Sequence, residues 1–144
     1  MAHTFRTTVE IDAPAARVWQ ILIAIDAWPK WTASITAATF VEGGMAPGGR
    51  AEIRQPGLPP TIWTVTKVNP GVSFTWEARS PGVHTVAGHH LEPLGPARTR
   101  VTLDLTQDGM FAWLVKALTG AKITAFMQME ADGLKKQSEA SAGD

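Results

Sequence analysis

Between residues 34 and 108 the chain is cut into short stretches that alternate polar with apolar residues, each closed by a Gly/Pro turn signal. A single unbroken helical pattern follows. That succession constrains the fold more than any other feature. A period of two marks a strand with one covered and one solvated face. Residues 50–55, 72–79 and 98–108 have this character, and 34–41, rich in β-branched and aromatic residues, 61–68 and 83–92 also read as strands. Gly43-Gly44, Pro47-Gly48-Gly49, Pro56-Gly57, Pro59-Pro60, Asn69-Pro70-Gly71, Pro81-Gly82 and residues 93–96 separate them. Connections this short join antiparallel neighbours, because parallel strands need a long crossover.

Residues 4–11 supply a seventh strand, with Phe5, Thr7, Val9 and Ile11 on one face. The period then changes. Asp12 reads as a helix N-cap and Pro14 as a first-turn residue, and Val18, Ile21, Leu22 and Ile25 follow at helical spacing with Trp19 beside them. Residues 26–31 form a second short turn, cut short by Pro29. From 110 to 137, Phe111, Leu114, Val115, Leu118, Ile123, Phe126, Met127, Glu130 and Leu134 lie along one broad stripe. Leu118, Ile123, Phe126, Met127 and Leu134 are therefore expected to be buried.

The expectation is an α+β helix-grip arrangement: a curved seven-stranded antiparallel sheet around a long C-terminal helix, with two short helices after the first strand. A chain of 144 residues is one domain, read as residues 1–138 with 139–144 as a flexible C-terminal tail. One helix covers only part of such a sheet, so some of the concave face is left for a cavity.

Composition removes several function classes. Without Cys there is no disulfide, thiol catalysis or Cys-bound metal, and a reducing, cytoplasmic setting suits the chain. Thirteen basic residues balance thirteen acidic ones, which speaks against a nucleic-acid partner. No apolar run reaches the roughly 20 residues of an integral membrane segment. Tyr is absent, so no Tyr acts as a general acid.

Three stretches carry a resemblance. Val9-Glu10-Ile11-Asp12-Ala13-Pro14, Arg17-Val18-Trp19, and Asp26 with Trp28-Pro29-Lys30-Trp31 open the chain. Glu92-Pro93 with Thr99-Arg100-Val101-Thr102 form a late hairpin, and Gly109 and the long helix end on residues 130–139. Together they resemble the START-like, Bet v 1-like (SRPBCC) superfamily, in particular its polyketide cyclase/dehydrase and lipid-transport-like branch. The resemblance spans essentially the whole chain. It implies the helix-grip fold and a hydrophobic small-molecule ligand (lipid, polyketide or aromatic compound). It carries no shared catalytic motif.

The residues themselves give little chemistry. His84, His89 and His90 share one strand. Neighbours there face opposite ways, and His84 and His90 stand roughly 20 Å apart, so no metal site is expected. The strand carboxylates fall on the solvent face, away from any common cleft. Thr7, Gln55, Thr85 and His89 are the polar residues of the inner face. His89 reads either as a cavity donor or as a core histidine bonded to backbone, and parity with Ala87 and Leu91 turns it inward rather than His90. Trp19 and Trp28 read as packing the short helices, Trp31 as cavity entrance or core, and Trp113 as partly exposed. Strand parity and the helical stripe together name the expected ligand wall: Ile53, Trp63, Phe74, Trp76, His89, Leu103, Phe126 and Met127.

Three functions fit. The first is binding or transport of a hydrophobic small molecule, without cofactor. The second is a cyclase/dehydrase-like enzyme with His89 as acid/base and Thr85 or Gln55 orienting the substrate. The third is a closed-core interaction module acting through its surface or as a homodimer. A cavity in the usual range of about 300–1,000 Å³ separates the first two from the third.

Overall fold

The computed structural model describes residues 2–140. Its strands are β1 (His3–Ile11), β2 (Ala37–Glu42), β3 (Arg50–Arg54), β4 (Thr61–Asn69), β5 (Ser73–Ser80), β6 (Val83–Gly95) and β7 (Arg98–Asp108). All seven form one sheet in the order β1-β7-β6-β5-β4-β3-β2, antiparallel throughout. The run from β2 to β7 is a meander, as its short turns require, and β1 closes the far edge against β7. Register shifts between Phe40 and Glu42, Val65 and Lys67, and Pro93 and Gly95 break the ladder. Such bulges bend a strand and add twist, which lets the sheet wrap.

Helix α1 (Ala15–Ile23) and a 3₁₀ turn (Ile25–Lys30) follow β1, and helix α2 (Ala112–Glu139) ends the described chain. α1 is amphipathic and buries Val18, Trp19 and Leu22. Asp12 does not cap it. Pro14 is the N-cap, and its carbonyl accepts from the Arg17 and Val18 amides. Asp12 instead donates its own amide to Glu139 Oε2 at 2.8 Å. Pro29 fits within the 3₁₀ turn, whose Trp28 is buried and donates Nε1–H to the Leu22 carbonyl at 3.1 Å.

α2 has 28 residues, about 42 Å of helix. Its C-terminal half lies under α1 and the 3₁₀ turn and buries Met127, Ala131, Leu134 and Ser138. The crossing is close: a Cβ on Gly133 would collide with the Trp31 carbonyl oxygen. Arg17 donates to the carbonyls of Ser138 at 2.7 Å and Ala140 at 3.0 Å, satisfying helix-end acceptors that otherwise face water. Ser138 is therefore core and Glu139 helix, not the start of a tail; residues 141–144 of the expected tail lie outside the described residues.

The N-terminal half differs from expectation. Leu118 is 75% exposed, and Phe111 and Leu114 are exposed with it. The step from Leu118 to Ile123 is five residues, and five residues turn the helix about 140° past a full turn. The supposed single stripe is thus two faces, and only the second meets the sheet. Trp113 is exposed, as its position predicts.

Candidate functional site

One cavity opens between the middle of α2 and strands β3 to β7. Its deeper wall is made by buried Trp28, Ile35, Ile53, Trp76, Ala87, His89 and Met127. Half-buried Gln55, Leu58, Trp63, Ile123 and Phe126 form the rim. Leu105 and Glu130 complete the lining. The cavity volume is about 80 Å³, below the range the sequence argument looked for. Across the rim, the Lys122 side chain of α2 reaches over the β3–β4 loop, its Nζ 2.5 Å from where a Cβ on Gly57 would stand.

Ile53, Trp63, Trp76, His89, Phe126 and Met127 thus come together on one wall. Phe74 and Leu103 do not. Both point to the concave side, but they lie deeper and are 0% and 3% exposed. Phe74 is covered by Trp19 of α1, ring to ring at 6.5 Å, and serves as the plate on which His89 stacks at 4.0 Å. Thr7 and Thr85 are also outside the wall. Thr7 donates to Gln128 Oε1 on the other flank of α2 at 3.2 Å. Gln55 is in it. Trp28, Ile35 and Leu58 come from segments without strand parity, which is why periodicity did not find them.

The aromatic rings form a connected set. Trp76 contacts Trp28 at 5.5 Å, Trp63 at 5.7 Å and Phe74 at 5.2 Å between centroids. His89 sits against three of them, edge-on to Trp76 and face-on to Phe74, with Trp28 at 6.0 Å. His89 is bonded to backbone as a core histidine is, and it also lines the cavity, but as an acceptor and not a donor. Its Nδ1 lies 3.3 Å from the Phe74 carbonyl oxygen. That oxygen only accepts, so the proton is on Nδ1 and the Nε2 lone pair is free. Burial drives the His89 pKa down to about 3, against a smaller upward pull from the Phe74 bond. The ring is neutral at physiological pH.

Glu130 is the residue sequence reasoning passed over. It belongs to the apolar stripe of α2, and a carboxylate between Met127 and Leu134 was itself the signal. Its Oε1 lies 3.7 Å from His89 Nε2, too far for a hydrogen bond. Burial raises its pKa to about 7, so near neutrality much of it is the protonated acid. The pair is then a neutral acid beside a neutral imidazole rather than an ion pair. Among the described residues, three buried side-chain atoms lack a hydrogen-bond partner: Trp31 Nε1, Ser138 Oγ and Glu130 Oε1. Only Glu130 lines the cavity.

The other two histidines of β6 serve the opposite face. His84 pairs with Glu77 at 2.8 Å and His90 with Asp104 at 3.1 Å. Among the described residues no three His, Asp or Glu side chains converge as metal ligands would, and no helix is long and apolar enough to cross a membrane.

The pattern that defines polyketide cyclase / dehydrase and lipid transport proteins matches residues 2–139. The chain belongs to that family. No curated protein sequence matches it. Among solved structures, this polyketide cyclase / dehydrase and lipid transport member is similar to the Zhui aromatase/cyclase from Streptomyces sp. R1128. The TM-score is 0.83 at 15% identity, over 99% of this chain and 98% of that one. A START superfamily protein from Mycobacterium smegmatis gives 0.74 at 20% identity, over 95% and 97% of the chains. Ara h 8.0201 gives 0.78 at 11%, over 98% and 100%. At these identities the likeness carries the helix-grip fold of the family and nothing about the ligand.

Proposed function

We propose that the chain binds a small aromatic or otherwise apolar molecule bearing one polar group, with its ring among Trp28, Trp63, Trp76 and Phe126. The observation that carries this is the aromatic-walled cavity with one buried, unpartnered carboxyl group in its lining. An apolar cavity with a few converging polar groups is the usual form of a small-molecule site. At about 80 Å³ the space takes a single ring or a side-chain-sized group. A larger ligand requires the N-terminal half of α2 to move away from the β3–β4 loop. The family's polyketide and lipid chemistry and a cytoplasmic location agree with this reading. The test is a titration with toluene and p-cresol, following the indole N–H signals in ¹H–¹⁵N spectra together with the melting temperature. Binding moves the Trp63 and Trp76 signals and raises the melting temperature. Unmoved signals and an unchanged melt with both compounds overturn the reading.

A second reading rests on the Glu130–His89 pair. A protonated acid beside a free base is the arrangement of general acid–base catalysis, as when two groups have their pKa values pushed apart. The substrate would be a small carbonyl compound that loses a carbon-bound proton to His89 as Glu130 hydrogen-bonds its oxygen. Deuterium uptake by a β-dicarbonyl compound in D₂O measures this. Glu130→Gln lowers the protein-dependent rate about 10²–10⁴-fold if the pair is catalytic.

A further inference from the structure

We infer that the polar group of the ligand is a hydroxyl, seated between Glu130 and His89, and that a phenol is the chemical class the site selects. The inference rests on the binding reading above and makes it specific.

Hydrogen-bond direction decides the polar group. The Phe74 carbonyl fixes the His89 proton on Nδ1, and the stacked Phe74 ring at 4.0 Å holds the imidazole in place. Nε2 therefore presents a lone pair and nothing else. Opposite it, Glu130 Oε1 is buried and unpartnered. The two atoms stand 3.7 Å apart, so neither satisfies the other. Burial favours the protonated carboxyl, which then offers an O–H donor. One donor and one acceptor thus face the same point.

A ligand hydroxyl satisfies both, accepting from Glu130 and donating to His89. An ether or ketone only accepts and leaves Nε2 bare. An ammonium only donates, and it places a charge where burial disfavours one. A carboxylate only accepts, so it too leaves Nε2 bare, and it places a charge where burial disfavours one. The rings that adjoin the pair, Trp28 and Trp76, contact His89 at 6.0 and 5.7 Å, so the atom bearing the hydroxyl lies against flat apolar surface. An aromatic carbon meets that condition, and a phenolic hydroxyl is a stronger donor to the Nε2 lone pair than an aliphatic one.

Three para-substituted probes, H, OH and OCH₃ on toluene, separate the claims: toluene, p-cresol and 4-methylanisole, each titrated into the native chain near pH 6 by indole N–H shifts. We expect p-cresol to bind roughly tenfold tighter than toluene, since two net hydrogen bonds of modest strength are gained. 4-Methylanisole, which lacks the proton for His89, loses most of that advantage. This ligand-side deletion tests His89 without disturbing a buried stacked ring. Glu130→Met removes the donor and a buried acid together and is expected to fold. It cuts the p-cresol to toluene ratio to about threefold, because the phenol still donates to His89, while toluene binding persists. Equal binding of toluene and p-cresol by the native chain, or an unchanged ratio in Glu130→Met, overturns the hydroxyl inference and leaves the binding reading standing. Binding of none of the three probes overturns both.

Discussion

Leu118 and Leu134 belong to one helix, yet the first is 75% exposed and the second 0%. The C-terminal half of α2 is held from several sides. α1 and the 3₁₀ turn cross it, Gly133 abuts the Trp31 backbone, and Lys135 donates to the Glu10 carbonyl at 2.9 Å. The N-terminal half rests mainly on the β1 side of the sheet, where a Cβ on Gly120 would stand 3.8 Å from the Phe5 ring. The cavity lies beside the point where one regime gives way to the other. The contrast teaches that apolar content does not decide burial. Helix α1 and the Trp31 backbone cover one half of α2 and not the other.

The sharpest way to break this contrast is a pair of leucine truncations. Leu134→Ala is expected to cost about 3–4 kcal/mol in a denaturant melt, as a fully buried side chain leaves a cavity. Leu118→Ala is expected to stay within about 0.5 kcal/mol. Comparable losses would show that the N-terminal half is packed after all.

Next is the buried acid at the start of the clamped half. Folding raises the Glu130 pKa from 4.5 to about 7, so the folded chain holds an extra proton between those values. Stability from this group is complete below pH 4.5 and is lost as pH rises to 7. His89 acts oppositely. Its pKa falls from 6.5 to about 3, so its contribution is complete above 6.5 and is lost as pH falls to 3. The two slopes cancel between about pH 4.5 and 6.5. Glu130→Gln removes one of them. The variant is expected to gain on native stability through that window and to exceed it by on the order of 3 kcal/mol above pH 7. Urea melts across pH 4 to 8 check this, and parallel curves for the two chains would refute it.

Two glycines sharpen the comparison further. Replacing Gly by Ala inside a helix ordinarily stabilises it by up to about 1 kcal/mol. Gly120→Ala follows that rule, because the nearest atoms to its Cβ are at ordinary contact distance, 3.6–3.8 Å. Gly133→Ala reverses it and costs about 2 kcal/mol, since the helix must move off Trp31. Thermal melts of both variants measure the difference in sign.

The smallest expected effect is at the helix end. Arg17→Ala uncovers the Ser138 and Ala140 carbonyls and is expected to cost about 1 kcal/mol, because water replaces much of what is lost. Hydrogen exchange reads it locally, with faster exchange confined to the last turns of α2.

Most of the architecture could be read from the sequence because period two and the Gly/Pro turns act locally. The strands fall within a few residues of where alternation puts them, and parity assigned His89 inward and His90 outward. Parity gives a face but no depth. Phe74 and Leu103 point to the right side but lie deeper than the wall, and Phe74 has α1 over it. Trp28, Ile35 and Leu58 reach the cavity from a 3₁₀ turn and loops, which have no period to read. Glu130 was visible as a carboxylate in an apolar stripe, but its meaning depends on the His89 tautomer, which the Phe74 carbonyl sets across the sheet. The step of five between Leu118 and Ile123 was legible too, and counting it would have separated the two faces of α2.

The aromatic set has an optical consequence. Trp28, Trp31, Trp63 and Trp76 form a chain with neighbouring centroids 5.5–5.8 Å apart. Indoles this close share their excitations, so the near-ultraviolet circular dichroism of the chain is that of a coupled chromophore and not a sum of separate rings. Removing Trp76, the middle ring between Trp28 and Trp63, splits the array and changes the spectrum by far more than one residue's share. Exposed Trp113 stands outside it and contributes only its own weak band. The fold thereby carries its own gauge of cavity geometry, one that responds to sub-ångström changes in ring spacing without any added label.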